Sequence, residues 1–336
     1  MDRLKAQGFQ FSEIYVIINR LINLKSMKLV ISIIMALIPA FIWLYIFYKK
    51  DEVYRPKAIQ TFFLGIASVL PILLYKWSWD HLPGLNVFTY TNELRVDVFT
   101  FTDYLFLPLG TVFAFLFVGV IEEWMKMWVV RHTDRGFFRN IDDAIEFSII
   151  SALGFAFIEN ILYFYFIWQL QGVEILFVSF VFRSIFSTFA HILFSGVFGY
   201  FYGIAYFAEP IWSEEQRKSR HPVVNLIHTV FHMKRNRVFA VEKMSEGLIM
   251  AVFLHAAFNI LLELNLNFFM VPFLVVGYSY LDHLFKQKEN LKKYGYLVGE
   301  DSPAHMHHVV WHHASPERVR RWQRKRKKKK LKNKKA

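Results

Sequence analysis

Long apolar runs, broken by short polar and aromatic-rich intervals, set the pattern of the chain. Before the first run, residues 1–28 carry Ile14, Tyr15, Ile17, Ile18, Leu21 and Ile22 interrupted by Asn19 and Arg20. This amphipathic spacing suits a helix lying along a membrane interface. Apolar runs then predict spans at about Leu29–Tyr48, Ile59–Tyr75, Leu105–Val130, Phe147–Leu170, within Ile175–Ala208, Gly247–Leu264, and, after the turn Asn265-Leu266-Asn267, Phe268–Leu284. Such runs approach the roughly 20 residues that cross a bilayer as a helix. The fifth is longer than one crossing needs, so it tilts or begins with a break near Arg183. An additional span before Leu29 would raise the count by one. The expected fold is therefore all-α, a polytopic transmembrane helical bundle of seven or eight spans. It divides into the amphipathic segment at 1–28, the membrane domain at 29–288 and a tail at 289–336. A closed barrel is disfavoured, because its strands would show roughly 10-residue alternating segments.

Composition agrees with this reading. Of 336 residues, 55% are hydrophobic and 37 are Phe, far from the usage of a soluble domain. The absence of cysteine excludes disulfides, thiolate catalysis and Cys-ligated zinc. The first apolar run lacks a small-residue cleavage site and reads as a retained span, in a multi-pass protein of the plasma membrane. The net charge of +13 sits almost wholly in one place: Pro316 to Ala336 holds thirteen Lys or Arg against one Glu. This low-complexity tail is expected to be disordered and to meet anionic lipid, each basic residue adding about 1 kcal/mol. Nucleic-acid contact is the weaker alternative. Lys and Arg in short connections place the tail inside and the N-terminus outside: four in Lys49–Lys57, three in Arg131–Arg139 and seven in Arg217–Lys243, but none in Gln171–Glu174 or Asn265–Asn267. The basic N-terminal segment runs against that orientation, and the extra span would remove the conflict.

Polar residues inside the runs carry the chemistry. Glu122 and Glu123 stand side by side in the third, with Lys126 one turn on. A carboxylate in hydrocarbon costs several kcal/mol, so such residues face a bundle interior and mark function. Two neighbouring carboxylates resist losing both protons together, which divides them into a base and a proton donor. The bland alternative is a structural ion pair near the interface, with Lys126 reaching out to water. Glu159, with Asn160 beside it, has no basic residue three or four positions away, so its partner must come from another helix. An interhelical hydrogen bond that specifies packing explains it equally. His191 belongs to a fourfold-spaced stripe, Ser187, His191, Ser195, Gly199 and Gly203, widened by Gly196. Small residues at this spacing press a helix against its neighbour and point His191 into the protein. His255 and Asn259 share a helical face, where they can donate to a developing oxyanion or simply bond to each other.

If these groups converge, a carboxylate and an imidazole can take a proton from water as it attacks a carbonyl, while a second His with Asn holds the oxyanion. This is amide hydrolysis without a covalent intermediate. No cofactor is expected on this route. Zinc is the alternative, on Glu122, Glu159, His191 and His255, although no HExxH pair is present. The five histidines of HMHHVVWHH, at 305–313, lack a rigid support for a metal.

Taken in order, EEWMK at 122–126, GFAFIEN at 154–160, HILFSGVFGYFYG at 191–203 and HAAFN at 255–259 resemble the PrsW intramembrane proteases. These belong to a superfamily with CAAX prenyl endopeptidases and bacteriocin-processing enzymes. The stretch from Ile38 to Pro71 resembles the start of that family, and the likeness extends to about Leu262. The resemblance implies a helical intramembrane peptidase that cuts a membrane-anchored anti-sigma factor as the first step of a signalling cascade. By position it implies Glu122 with His191 for water activation, beside Glu123, and His255 with Asn259 for the oxyanion. Glu159 stands where CAAX-type enzymes carry a histidine, and the loop that is usually acidic and proline-containing here reads YRPK. A CAAX-like or bacteriocin-maturation protease, and a non-catalytic scaffold or transporter using the same buried groups, are the alternative readings.

Overall fold

A computed structural model describes residues 27–48, 55–79, 81–86, 97–102, 105–138, 140–208, 211–212, 224, 228–229 and 234–290. Almost all of the amphipathic segment at 1–28 and the tail at 289–336, with its histidine cluster, lies outside the described residues.

Among the described residues the main helices are α1 (Met27–Tyr48), α2 (Arg55–Ala67), α3 (Leu70–Ser78), α4 (Leu109–Thr133), α5 (Ile141–Leu170), α6 (Val173–Phe182), α7 (Thr188–Tyr206), α8 (Arg235–Glu263) and α9 (Met270–Asn290). The expected helical bundle is present, with one small addition. A two-stranded antiparallel hairpin, β1 (Asp97–Thr102) and β2 (Leu105–Pro108), occupies what the apolar run at Leu105 had suggested was the start of the third span. Pro108 explains the shift. A residue before proline disfavours the helical region, so the chain stays extended through Leu107 and α4 starts at Leu109. Pro71 likewise lies in the first turn of α3, and the expected second span is two helices, α2 and α3, with a break at Ser68–Val69. The sixth expected span lies in α8, which starts well before Gly247, at Arg235.

Among the described residues, five stretches are long and apolar enough to cross a membrane: Met27–Tyr45, Pro56–Ser78, Ile141–Leu170, Val173–Tyr206 and Arg235–Glu263. The seven or eight expected from the sequence are not all of this kind. Of the other two helices, α4 is diluted by Glu122, Glu123, Lys126 and Arg131, and α9 by the charged residues of its last turns.

The centre of the bundle is α5, buried along nearly its whole length. Asn140 caps it by accepting from the Asp143 amide at 2.9 Å, and Asp142 and Asp143 complement the helix dipole in the first turn. Gly172, at φ 90°, closes its far end. Glycines let neighbouring backbones reach α5. A Cβ on Gly154 would collide with the Phe62 carbonyl of α2, and one on Gly65 with the Ser151 carbonyl. On α7, Gly199 and Gly203 sit against Ser148 and Ile141, as the small-residue stripe predicted. The expected Asn265 turn ends α8, with Asn265 at φ 56° and the Leu266 amide donating back to the Leu261 carbonyl at 2.9 Å. Helix α4 packs against α2, α3, α5, α7 and α8. Its polar face is therefore enclosed by protein.

Candidate active site

Glu123 is wholly buried on α4, and both its oxygens are engaged. Oε1 accepts from Lys126 Nζ at 2.7 Å and lies 2.9 Å from His255 Nδ1 on α8. Oε2 accepts from Ser195 Oγ on α7 at 3.1 Å. Lys126 Nζ also lies 3.1 Å from His191 Nδ1 and 4.2 Å over the Phe155 ring. Local spacing explains part of this: Glu123 and Lys126 are neighbours across one helical turn. The rest comes from α7 and α8 closing on the same face.

Those contacts fix the two imidazoles. A lysine ammonium has donors only, so Nδ1 of His191 accepts and the ring proton sits on Nε2. That Nε2–H donates to Glu159 Oε2 at 2.9 Å. At His255 the carboxylate takes the other nitrogen. Nδ1–H donates to Glu123, which leaves Nε2 facing Glu122 Oε2 at 3.5 Å. Glu122 is buried, and its Oε2 makes no hydrogen bond among the described residues. The two rings are 5.5 Å apart and nearly perpendicular, with His255 stacked on Phe194 and His191 beside Phe155.

A second network joins the first through His191. Glu159 Oε2 also accepts from Arg183 Nη2 at 2.9 Å, and Arg183 Nε donates to Asn160 Oδ1 at 2.9 Å. Asn160 Nδ2 reaches Thr188 Oγ1 at 3.3 Å. Arg183 opens a π-helical segment, Arg183–Ser187, between α6 and α7. This is where the sequence suggested a break in the fifth span.

Six of the residues singled out in the sequence therefore meet: Glu122, Glu123, Lys126, Glu159, His191 and His255. Asn160 joins them through Arg183. Asn259 is half-buried one turn beyond His255 and makes no side-chain hydrogen bond among the described residues, so the pair does not bond to itself. The pairing also differs from the one the resemblance implied. The imidazole beside Glu122 is His255, while His191 is held between Lys126 and Glu159. Two contributors escape the sequence reading. Ser195 reads there only as a small residue, although it follows His191 by four. Arg183 reads only as a break.

The chemistry of this donor set suits zinc, but its arrangement does not. The Lys126 ammonium lies between Glu123 and His191, and the Arg183 guanidinium holds Glu159. Among the described residues no three His, Asp or Glu side chains are grouped to hold one ion. The residues present do not fit a metal.

The comparisons bear on this site. The model of a family described as PrsW family intramembrane metalloprotease matches residues 57–281. Among relatives, the chain is 30% identical over 173 residues to a protein named Protease PrsW from Oceanobacillus iheyensis, covering 50% of this chain and 66% of that one. It is 28% identical over 183 residues to Protease PrsW of Shouchella clausii, covering 53% and 71%. It is 31% identical over 157 residues to Protease PrsW of Geobacillus kaustophilus, covering 43% and 66%. The matched stretch thus spans just under two thirds of the Oceanobacillus and Geobacillus proteins. No solved structure matches the chain at a significant level. The family match takes in the four motif helices α4, α5, α7 and α8, and this multi-pass membrane chain belongs to the PrsW family.

Proposed function

We propose that the chain is an intramembrane endopeptidase that hydrolyses a peptide bond of a membrane-anchored protein. A single-span anti-sigma factor is the substrate class the resemblance favours, and the cut then opens a signalling cascade. The observation that carries the reading is the gap between Glu122 Oε2 and His255 Nε2. Two buried proton acceptors face each other at 3.5 Å, and the carboxyl oxygen lacks a partner among the described residues. Buried polar atoms of this kind are normally satisfied, and this one lies beside an imidazole nitrogen, which supports a place for a water here.

A water held by Glu122 and His255 gives up a proton to this pair as its oxygen attacks the scissile carbonyl carbon. The carbonyl oxygen becomes the oxyanion of a tetrahedral intermediate. Asn259, on the His255 face and uncommitted among the described residues, is available to donate to it. The proton then moves to the leaving nitrogen as the C–N bond breaks. Glu123 takes no proton in this scheme. It holds His255 in the tautomer that leaves Nε2 toward the water, as a buried carboxylate does for a catalytic histidine elsewhere. The Lys126 ammonium donates to the same Glu123 oxygen and fixes its direction.

The reading uses no metal, against the wording of the family's description. The test is cleavage in cells of a panel of single-span anti-sigma factors by wild type and by Glu122→Gln, both shown to accumulate in the membrane. Wild type cuts at least one and the variant cuts none. Equal cleavage by the two, or a scaffold or transport function that survives Glu122→Gln, overturns it. Purified protein is expected to retain activity after chelation, with less than one metal ion in ten molecules.

A further inference from the structure

We infer that Arg183 is a positioning residue for the active site, acting through Glu159 to hold His191. This rests on the peptidase reading above for its activity arm only. Arg183 is buried, and its guanidinium makes three distinct contacts with one face of α5. Nη2 donates to Glu159 at 2.9 Å, Nε donates to Asn160 at 2.9 Å, and the guanidinium carbon lies 3.8 Å over the Tyr163 ring. A planar fork with fixed donors suits such a multiple contact, and lysine does not reproduce it.

The backbone is shaped for this contact. Arg183 begins the π-helical turn that separates α6 from α7. A π turn inserts one residue into the helical repeat, and such insertions recur at functional sites. Here the insertion is braced from within, because Thr188 Oγ1 donates to the Arg183 carbonyl at 2.9 Å and receives Asn160 Nδ2 at 3.3 Å. The same turn that aims the Arg183 side chain at α5 therefore also ties its carbonyl to α5 through Thr188 and Asn160.

The consequence falls on His191. Glu159 Oε2 is one atom shared by two donors, Arg183 Nη2 and His191 Nε2, each at 2.9 Å. With Arg183 in place, that oxygen is fixed in direction, and the His191 ring is held at both ends, Nδ1 by Lys126 and Nε2 by Glu159. Lys126 in turn contacts Glu123, which orients His255. Removing Arg183 leaves a part-buried carboxylate held by one imidazole alone, and the chain of contacts loses its outer anchor.

The test uses full-length protein in detergent or nanodiscs, with Arg183→Gln, Arg183→Lys, Glu159→Gln and the Arg183→Gln/Glu159→Gln double variant. On a single-span reporter bearing an anti-sigma-factor transmembrane segment, Arg183→Gln is expected to lower kcat at least tenfold with KM within twofold. Arg183→Lys recovers part of the loss. The double variant is no slower than Glu159→Gln alone, because the two residues act through one bond. Independently of activity, 15N-histidine spectra of wild type are expected to show a slowly exchanging Nε2–H at His191, assigned by its loss in His191→Gln, and that signal disappears in Arg183→Gln. Additive losses in the double variant, or a His191 Nε2–H that persists without Arg183, overturn the proposal. If wild type cuts no reporter the peptidase reading fails, and the spectra still decide the role of Arg183.

Discussion

Two carboxylate–imidazole pairs sit side by side in this bundle, built of the same residue types and wired in opposite senses. Glu123 takes Nδ1 of His255 and leaves Nε2 toward Glu122. Glu159 takes Nε2 of His191, and Lys126 occupies the other nitrogen. One ring has a nitrogen directed only at the unsatisfied Glu122 oxygen; the other ring is held at both ends. The difference teaches that a histidine in a buried cluster is assigned a role by the nitrogen its carboxylate uses, not by its presence near a glutamate. Each carboxylate also has its own buried cation, Lys126 for Glu123 and Arg183 for Glu159. Buried charges persist where they are paired and hydrogen-bonded in this way.

The contrast breaks most cleanly at Glu122. Glu122→Gln keeps the shape of the site and removes the base, so cleavage is expected to fall by about 10²–10⁴-fold, the usual span for general acid–base groups. Accumulation in the membrane stays at the wild-type level, as read by immunoblot of the membrane fraction. The histidines sharpen the comparison next. His255→Gln is expected to match Glu122→Gln, and the double variant to be no worse than either, because the two act on one water. His191→Gln retains a donor and an acceptor and is expected to lose about tenfold less than His255→Gln. The reverse order would restore the pairing of Glu122 with His191 that the resemblance implied.

A buried carboxylate away from these networks supplies a control. Asp134, just past α4, accepts from Thr61 Oγ1 at 2.9 Å and has Lys57 at 3.6 Å, while its Oδ2 lacks a hydrogen bond among the described residues. Burial raises its pKa to about 6, against weaker opposition from Thr61, Thr133 and Lys57. The folded state therefore binds this proton more tightly than the unfolded chain does. Its stabilising contribution is complete below about pH 4 and is lost as the pH rises through about 6, a change of about 3 kcal/mol. Thermal melts in detergent from pH 4 to 7.5 are expected to show wild type losing stability relative to Asp134→Asn across that window. Parallel curves for the two proteins would refute the assignment.

Much of this was legible in the sequence, and the losses have identifiable causes. Polar residues in apolar runs located Glu122, Glu123, Glu159, His191 and His255, because an intramembrane charge is too costly to keep without a partner. The stripe from Ser187 to Gly203 correctly placed His191 on a packed face, since small residues at fourfold spacing have one geometric use. What spacing along one helix does not carry is which neighbour faces it. The choice of His255 over His191 as the partner of Glu122 depends on how α4 crosses α7 and α8. Arg183 was hidden for a related reason: the π turn moves it off the face that an ideal repeat would give. The hairpin at β1 and β2 was masked by apolar side chains that serve a strand as well as a span, and only Pro108 marked the boundary.

The smallest effect expected is at Ser195, and it tests how much of Glu123's work each of its oxygens does. Ser195→Ala removes the donor to Oε2 and leaves Oε1 with Lys126 and His255. If Glu123 acts by fixing the His255 tautomer, the bond that matters is on Oε1, and the loss is confined to one buried acceptor left unmatched, about 1–3 kcal/mol. Most of that falls on stability, because free and substrate-bound protein lose the same contact. The melting temperature is expected to drop by several degrees while kcat/KM changes less than about fivefold, which is about 1 kcal/mol. A loss of activity as deep as that of Glu122→Gln would mean that Oε2 takes part in the chemistry, and Glu123 would then be a second proton acceptor and not only an orienting group.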